Sequence, residues 1–258
     1  MKLALDIGGT YVRWEIVDKK KGKEQLRNID LQSFIEDLIK KSRITAVGIS
    51  YAGQVCNNEI LSAPNIHATI EPEKFGIPYI IENDLKCAVL AEAKFFNTSS
   101  ITALYSGTGL GSASVDQGNL IRGYKNLAGE IGHIPYKKAP FRCGCGKDNC
   151  IELYASGSGL QKWADYLKIE ATLKNEKLYK LYTEALLYAA ATTLTLFNPS
   201  ILVLGGGVIK HNLGIIEVIQ ENITHYAPLF ALREAQIKLT QLEDASLEGV
   251  KILLERLP

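Results

Sequence analysis

One pattern occurs twice in this chain, 98 residues apart. "IGGTYVRWEIVD" and "YSGTGLGSASVD" each pass from an apolar run through a Gly-Thr turn into a β-prone run that ends Val-Asp. Thr10 falls on Thr108 and Asp18 on Asp116. The same strand, glycine turn and strand opening two halves implies a duplicated, two-domain α/β protein. No Pro/Ser-rich linker separates the halves, and the change-over is expected near "NTSS" at 97–100.

The remaining pattern agrees with that class. "LQSFIEDLIKKS" spaces Leu31, Phe34, Ile35 and Leu38 as one helix face, and "TAVGIS" returns as a strand. "YIIEND" reads as a strand that runs into the helix "DLKCAVLAEAKFF". A helix-rich stretch at 158–197 precedes the buried strand "ILVLGGG", a helix near 212–224, the strand "IKLTQL" and the closing helix "SLEGVKILLERL". The run "DKKKGK" at 18–23 is expected to be a solvated hairpin turn.

With 258 residues, 47% hydrophobic content and a net charge of +1, the chain carries no nucleic-acid footprint. No apolar stretch approaches the ~20 residues of a membrane span. The opening "MKLALDIGG" offers a strand and a turn instead of a leader, so a cytoplasmic protein is expected.

Three glycine turns follow strands: "DIGGT", "GTG" at 107–109 and "LGGG" at 204–207. Glycine amides can approach an anion closely and form a concave nest. Asp6 adds a carboxylate able to hold hydrated Mg²⁺, and Thr10 and Thr108 add hydroxyl donors. Each turn alone is more often just a turn; three in one chain favour a nucleotide. None matches the P-loop or the Rossmann spacing. Asn83 and Asp84 end the strand "YIIEND". Asp84 could accept a proton from a substrate hydroxyl, while its position at a helix start favours a cap.

Three of the five cysteines, Cys143, Cys145 and Cys150, crowd into eight positions, with His133 ten residues upstream. Three thiols cannot pair off as disulfides. With His133 they make a Cys₃His set, the closed tetrahedral zinc site whose role is structural. Glu130 and Glu152 flank these ligands, and two fixed carboxylates suit neighbouring hydroxyls of a sugar.

Together "LALDIGGT", "YSGTGLGSASVDQGNLIRGYKNLAGEIGH", "CGCGKDNCIE" and "LVLGGGV" resemble the ROK group of sugar kinases and related proteins, over nearly the whole chain. The resemblance implies an actin-like (ribonuclease H-like) two-domain ATPase fold, with a cleft that closes on ATP and sugar. Residues 1–97 with 244–258 would form the smaller domain and 98–243 the larger. It implies Asp84 as the base. Asn83, Glu130, His133 and Glu152 would contact the sugar, with Gly53 and Asn65 as helpers, and His133 would offer its second ring nitrogen to substrate. Asp6 with Mg²⁺, Gly8, Gly9, Thr10, Gly107, Thr108 and Gly109 would hold phosphates, and Gly205 and Gly206 the adenosine side. A homodimer is implied. The activity expected is an ATP-dependent hexose kinase, glucokinase first, with N-acetylmannosamine, N-acetylglucosamine or fructose as rival substrates. An inactive sugar-binding regulator is the reading from another class.

Overall fold

The computed structural model describes residues 1–63, 66 and 68–258. They form two compact units. The first comprises Met1–Phe95, Arg122–Leu127 and Leu242–Pro258, and the second Phe96–Ile121 and Ala128–Gln241. Arg122–Leu127 thus groups with the first unit, although the sequence reading left it inside the second.

The first unit is built on β1 (Lys2–Ile7), β2 (Tyr11–Ile16), β3 (Lys20–Gln25), β4 (Ala46–Tyr51) and β7 (Tyr79–Asn83), in the order β3-β2-β1-β4-β7. β1 runs antiparallel to β2 and parallel to β4. Central and covered on both faces, it needs an unbroken apolar run, which "LALDI" supplies. Leu3, Leu5 and Ile7 pack with Val12, Trp14, Ile35 and Ile49 on the face covered by the helix Leu31–Ser42. Ala4 and Ala46 point the other way, against Cys87 of the helix Asp84–Phe95 and Leu247, Val250 and Leu254 of the helix Ala245–Leu254. Small residues on that face let these two helices press close. A Cβ on Gly249 would overlap the Cys87 carbonyl, and one on Gly48 would lie 2.6 Å from Leu254 Cγ.

"DKKKGK" is corrected here. Only Asp18 and Lys19 make the turn; Lys20–Gln25 is an edge strand paired with β2. Lysines along an outer strand obstruct pairing with another chain, so a charge run reads as a loop and folds as an edge. The short hairpin of β5 (Gln54–Cys56) and β6 (Glu59–Ser62) carried no sequence expectation. Its turn residues, Asn57 and Asn58, have φ of 51° and 64°, the left-handed pair a tight hairpin requires.

The second unit repeats the plan with β8 (Ile101–Ser106), β9 (Leu110–Asp116), β10 (Asn119–Leu120), β11 (Ile201–Gly205) and β12 (Gln236–Leu239), in the order β10-β9-β8-β11-β12. β8 is antiparallel to β9 and parallel to β11, so the sequence repeat is a repeat of sheet topology. The helix Glu176–Phe197 crosses the core on Leu178, Tyr182, Leu186 and Leu194. Asn175 caps its start, accepting from Lys177 N, and Asn198 ends it in the left-handed conformation. Among the described residues no helix is long and apolar enough to cross a membrane.

Candidate active site

At the end of β7 the chain turns directly into the helix Asp84–Phe95. Asn83 takes the capping role: its Oδ1 accepts from Lys86 N at 3.2 Å, and its Nδ2 donates to Gly53 O and to Asp84 Oδ1, both at 3.0 Å. Asp84 Oδ1 also accepts from Leu85 N at 2.9 Å. The cap that position favoured for Asp84 therefore belongs to Asn83. Asp84 is held in the first turn, where the helix dipole favours a carboxylate. Gly53, Asn83 and Asp84 are together; Asn65 lies outside the described residues.

In the second unit the segment 134–151 folds back on itself. Ile151 N donates to Ile134 O, Tyr136 N to Asn149 O and Cys143 N to Lys147 O, closing a hairpin around the cysteines. One ligand atom from each of His133, Cys143, Cys145 and Cys150 lies within 4.8 Å of all the others. Zn–S bonds near 2.3 Å put tetrahedral sulfurs ~3.8 Å apart, so the set fits one zinc ion. Burial pushes the Cys150 thiol up to about 12 and also raises Cys143, while the Lys147 amide lowers Cys145.

His133 has two faces. Nδ1 lies 3.7 Å from Cys143 Sγ, and Nε2 lies 3.9 Å from Glu130 Oε2. Glu152 is fastened more firmly than a free sugar ligand: Oε2 accepts from Leu110 N at 3.1 Å, and Oε1 lies 3.5 Å from Cys143 Sγ. It therefore links the cysteine loop to the turn Gly107–Gly109, where a Cβ on Gly109 would stand 2.7 Å from its carboxylate.

That turn has company. Gly107 N donates to Gly109 O, and Gly107 O accepts from Gly157 N at 2.8 Å. Gly157 opens the helix Gly157–Leu167, capped by Ser156 accepting from Gly159 N. Gly206, at φ 89°, presses on the Ser106 backbone. The ends of β8 and β11 thus meet a helix N-terminus, an arrangement that favours phosphate. The sequence reading named Gly107, Thr108, Gly109, Gly205 and Gly206 but missed Ser156 and Gly157. "ASGSG" follows a helix, without the strand that marked the other glycine turns.

Asp6, at the end of β1, is buried. Oδ1 accepts from Ser50 Oγ at 2.8 Å and Oδ2 pairs with Arg13 at 3.1 Å, while Arg13 Nε reaches Asp244 at 3.1 Å. Burial outweighs these partners and raises the Asp6 pKa above its ordinary value. With both oxygens engaged, Asp6 fits the water shell of a Mg²⁺ ion better than direct ligation. Gly8 N donates to Tyr11 O, closing the turn that holds Gly9 and Thr10.

The chain's relatives bear on this geometry. The ROK family model matches residues 2–256. A glucokinase of Streptomyces coelicolor is 31% identical over 64% of this chain and 59% of its own length. An N-acetyl-D-glucosamine kinase of Pectobacterium carotovorum is 28% identical over 81% and 84%. Among solved structures, a ROK family glucokinase from Streptomyces griseus in complex with glucose and AMPPNP superposes with a TM-score of 0.77, at 25% identity and covering 98% of both chains. This chain is a member of the ROK family, with the mixed α/β, actin-like ATPase fold of its sugar kinases.

Proposed function

We propose that the chain transfers the γ-phosphoryl group of ATP to a hydroxyl of a hexose. Glucose is the first substrate to try, with N-acetylglucosamine, N-acetylmannosamine and fructose behind it. The observation that carries the reading is the division of labour at Asn83 and Asp84. Asn83 caps the helix and orients its neighbour, so the Asp84 carboxylate is held in a fixed position at the strand end, suited to act as general base for the attacking hydroxyl.

In this reading Glu130 and the Nε2 edge of His133 bind sugar hydroxyls, Asn83 and Gly53 support Asp84, and Asn65 is a helper in sugar binding. Glu152 both positions the phosphate turn and contacts sugar. Zinc on His133 and the three cysteines is structural and fixes the loop between them. Gly8, Gly9, Thr10 and Gly107–Gly109 hold phosphates, and Gly205 and Gly206 face the adenosine. When bound, Mg²⁺ offsets phosphate charge, with Asp6 orienting its waters. Thiols gathered for a metal suit a reducing compartment, so the protein is cytoplasmic, and it works as a homodimer. Relatives named for glucose and for N-acetylglucosamine support a hexose and divide over which one.

The test is ADP release from MgATP across a panel of hexoses and N-acetylhexosamines. One sugar should stand out in kcat/KM. Saturable sugar binding with no ADP release would replace the kinase with a sugar-binding regulator.

A further inference from the structure

Two charged side chains beside Asp84 are almost fully buried and unused by the chemistry above: Glu82, 3% exposed, and Lys86, 4% exposed. Both are met by the segment Arg122–Leu127. Glu82 Oε2 pairs with Arg122, and its Oε1 accepts from Asn126 Nδ2 at 2.7 Å and from the Asn83 amide at 2.9 Å. Arg122 also donates to Asn126 Oδ1 at 3.2 Å, and Lys86 Nζ donates to Asn126 O at 2.7 Å. Asn126 Nδ2 further reaches Val55 O at 2.8 Å.

The backbone at this crossing is unusual. Lys125 and Asn126 have φ of 56° and 60°, two consecutive non-glycine residues in the left-handed region. Such a conformation persists only where surrounding bonds over-determine it. Here the Asn126 amide and carbonyl are both held by the network. One end of the network is therefore the residue before Asn83 and Asp84; the other lies four residues before Glu130.

We propose that Glu82, Lys86, Arg122 and Asn126 form a positioning clamp, which fixes the strand end bearing Asp84 and the register of the segment leading into Glu130. This rests on the kinase reading and deepens it. Buried ion pairs are a weak source of net stability but a good source of defined geometry. Arg122 itself is 44% exposed at its side chain and borders an open cavity of about 860 Å³ lined by Val55, Asn58, Ile81 and Tyr124. Arg122 can therefore be changed without emptying the core.

Three variants test the clamp: Glu82→Gln, Arg122→Lys and the pair combined. Glu82→Gln keeps an acceptor for Asn83 and Asn126 but removes the charge that holds Arg122. Sugar KM should rise and kcat fall, each by about tenfold, with the KM for ATP within about twofold of wild type. Arg122→Lys should be milder, and the combined variant no worse than Glu82→Gln. Amide hydrogen exchange should quicken in peptides covering 80–87 and 122–133 while β1 and β4 stay protected. The clamp is overturned by unchanged exchange in those two segments, by an active variant with wild-type sugar KM and kcat, or by a parallel rise in the KM for ATP. If the wild type phosphorylates no sugar, the kinase reading alone fails and the exchange result decides the clamp.

Discussion

Asp6 and Asp84 sit at the ends of two strands in one sheet, yet their surroundings ask different things of them. Burial raises the pKa of Asp6 despite Ser50 and Arg13, so the folded state holds its proton more tightly than the unfolded chain does. Stability from this group is therefore greatest below the ordinary value of 3.8 and falls as pH rises from there through the folded value. Asp6→Asn should raise the melting temperature at neutral pH, and the gain should vanish below the carboxylate range. On the role proposed for Asp6, phosphoryl transfer should also be lost, since no charge would remain to order a magnesium's waters. A variant less stable at neutral pH would show that Arg13, not burial, dominates. Asp84→Asn should leave sugar binding near normal and lower kcat by ~10²–10⁴; near-wild-type turnover would remove Asp84 from the mechanism. At this scale the sequence was uneven. Cysteines clustered near a histidine pointed to four side chains that the structure does bring together. Glu82 gave no signal, because its partners lie 40 and 44 residues away and a buried ion pair leaves no periodicity.

Among the elements, the hairpin 134–151 packs Tyr136, Ala139 and Phe141 on the second unit's core, while Gly144–Lys147 at its tip is exposed loop. On the proposed zinc and sugar roles, treatment with a chelator, or Cys145→Ser, should lower the melting temperature by about 5–10 °C and raise sugar KM, as His133 and Glu130 would lose their anchor. Metal analysis should find about one zinc per chain; a zinc-free protein of full activity and stability would end the structural role. Gly129, just upstream, has φ 103° and lies against the Ser112 carbonyl, which a Cβ would overlap. Gly129→Ala should cost roughly 2–4 kcal/mol in denaturant unfolding. Elements with strong periodicity, such as Leu31–Ser42, were legible. β3 was hidden by its lysines and β5–β6 by its brevity: each tells of an edge or a turn, features that local composition encodes only weakly.

The whole molecule was legible as a duplication because the device that repeats, a strand, a glycine turn and a returning strand, is local and period-marked. The family resemblance implied that 244–258 returns to the first unit; what did not show was the brief earlier return at Arg122–Leu127. The closing return rests on contacts such as Gly249 against Cys87. Gly249→Leu should push the helix Ala245–Leu254 off the first unit. Hydrogen exchange should then open β1, β4 and the helix Asp84–Phe95 while β8 and β11 stay closed; uniform opening would mean the units melt as one. The same return has a bearing on biosynthesis. β1 leaves the ribosome long before the helix Ala245–Leu254, which completes the cover that Cys87 of the helix Asp84–Phe95 begins over Ala4 and Ala46. The nascent first unit therefore waits with part of that apolar surface uncovered while the second unit is made, a window in which a chaperone would have the most to shield.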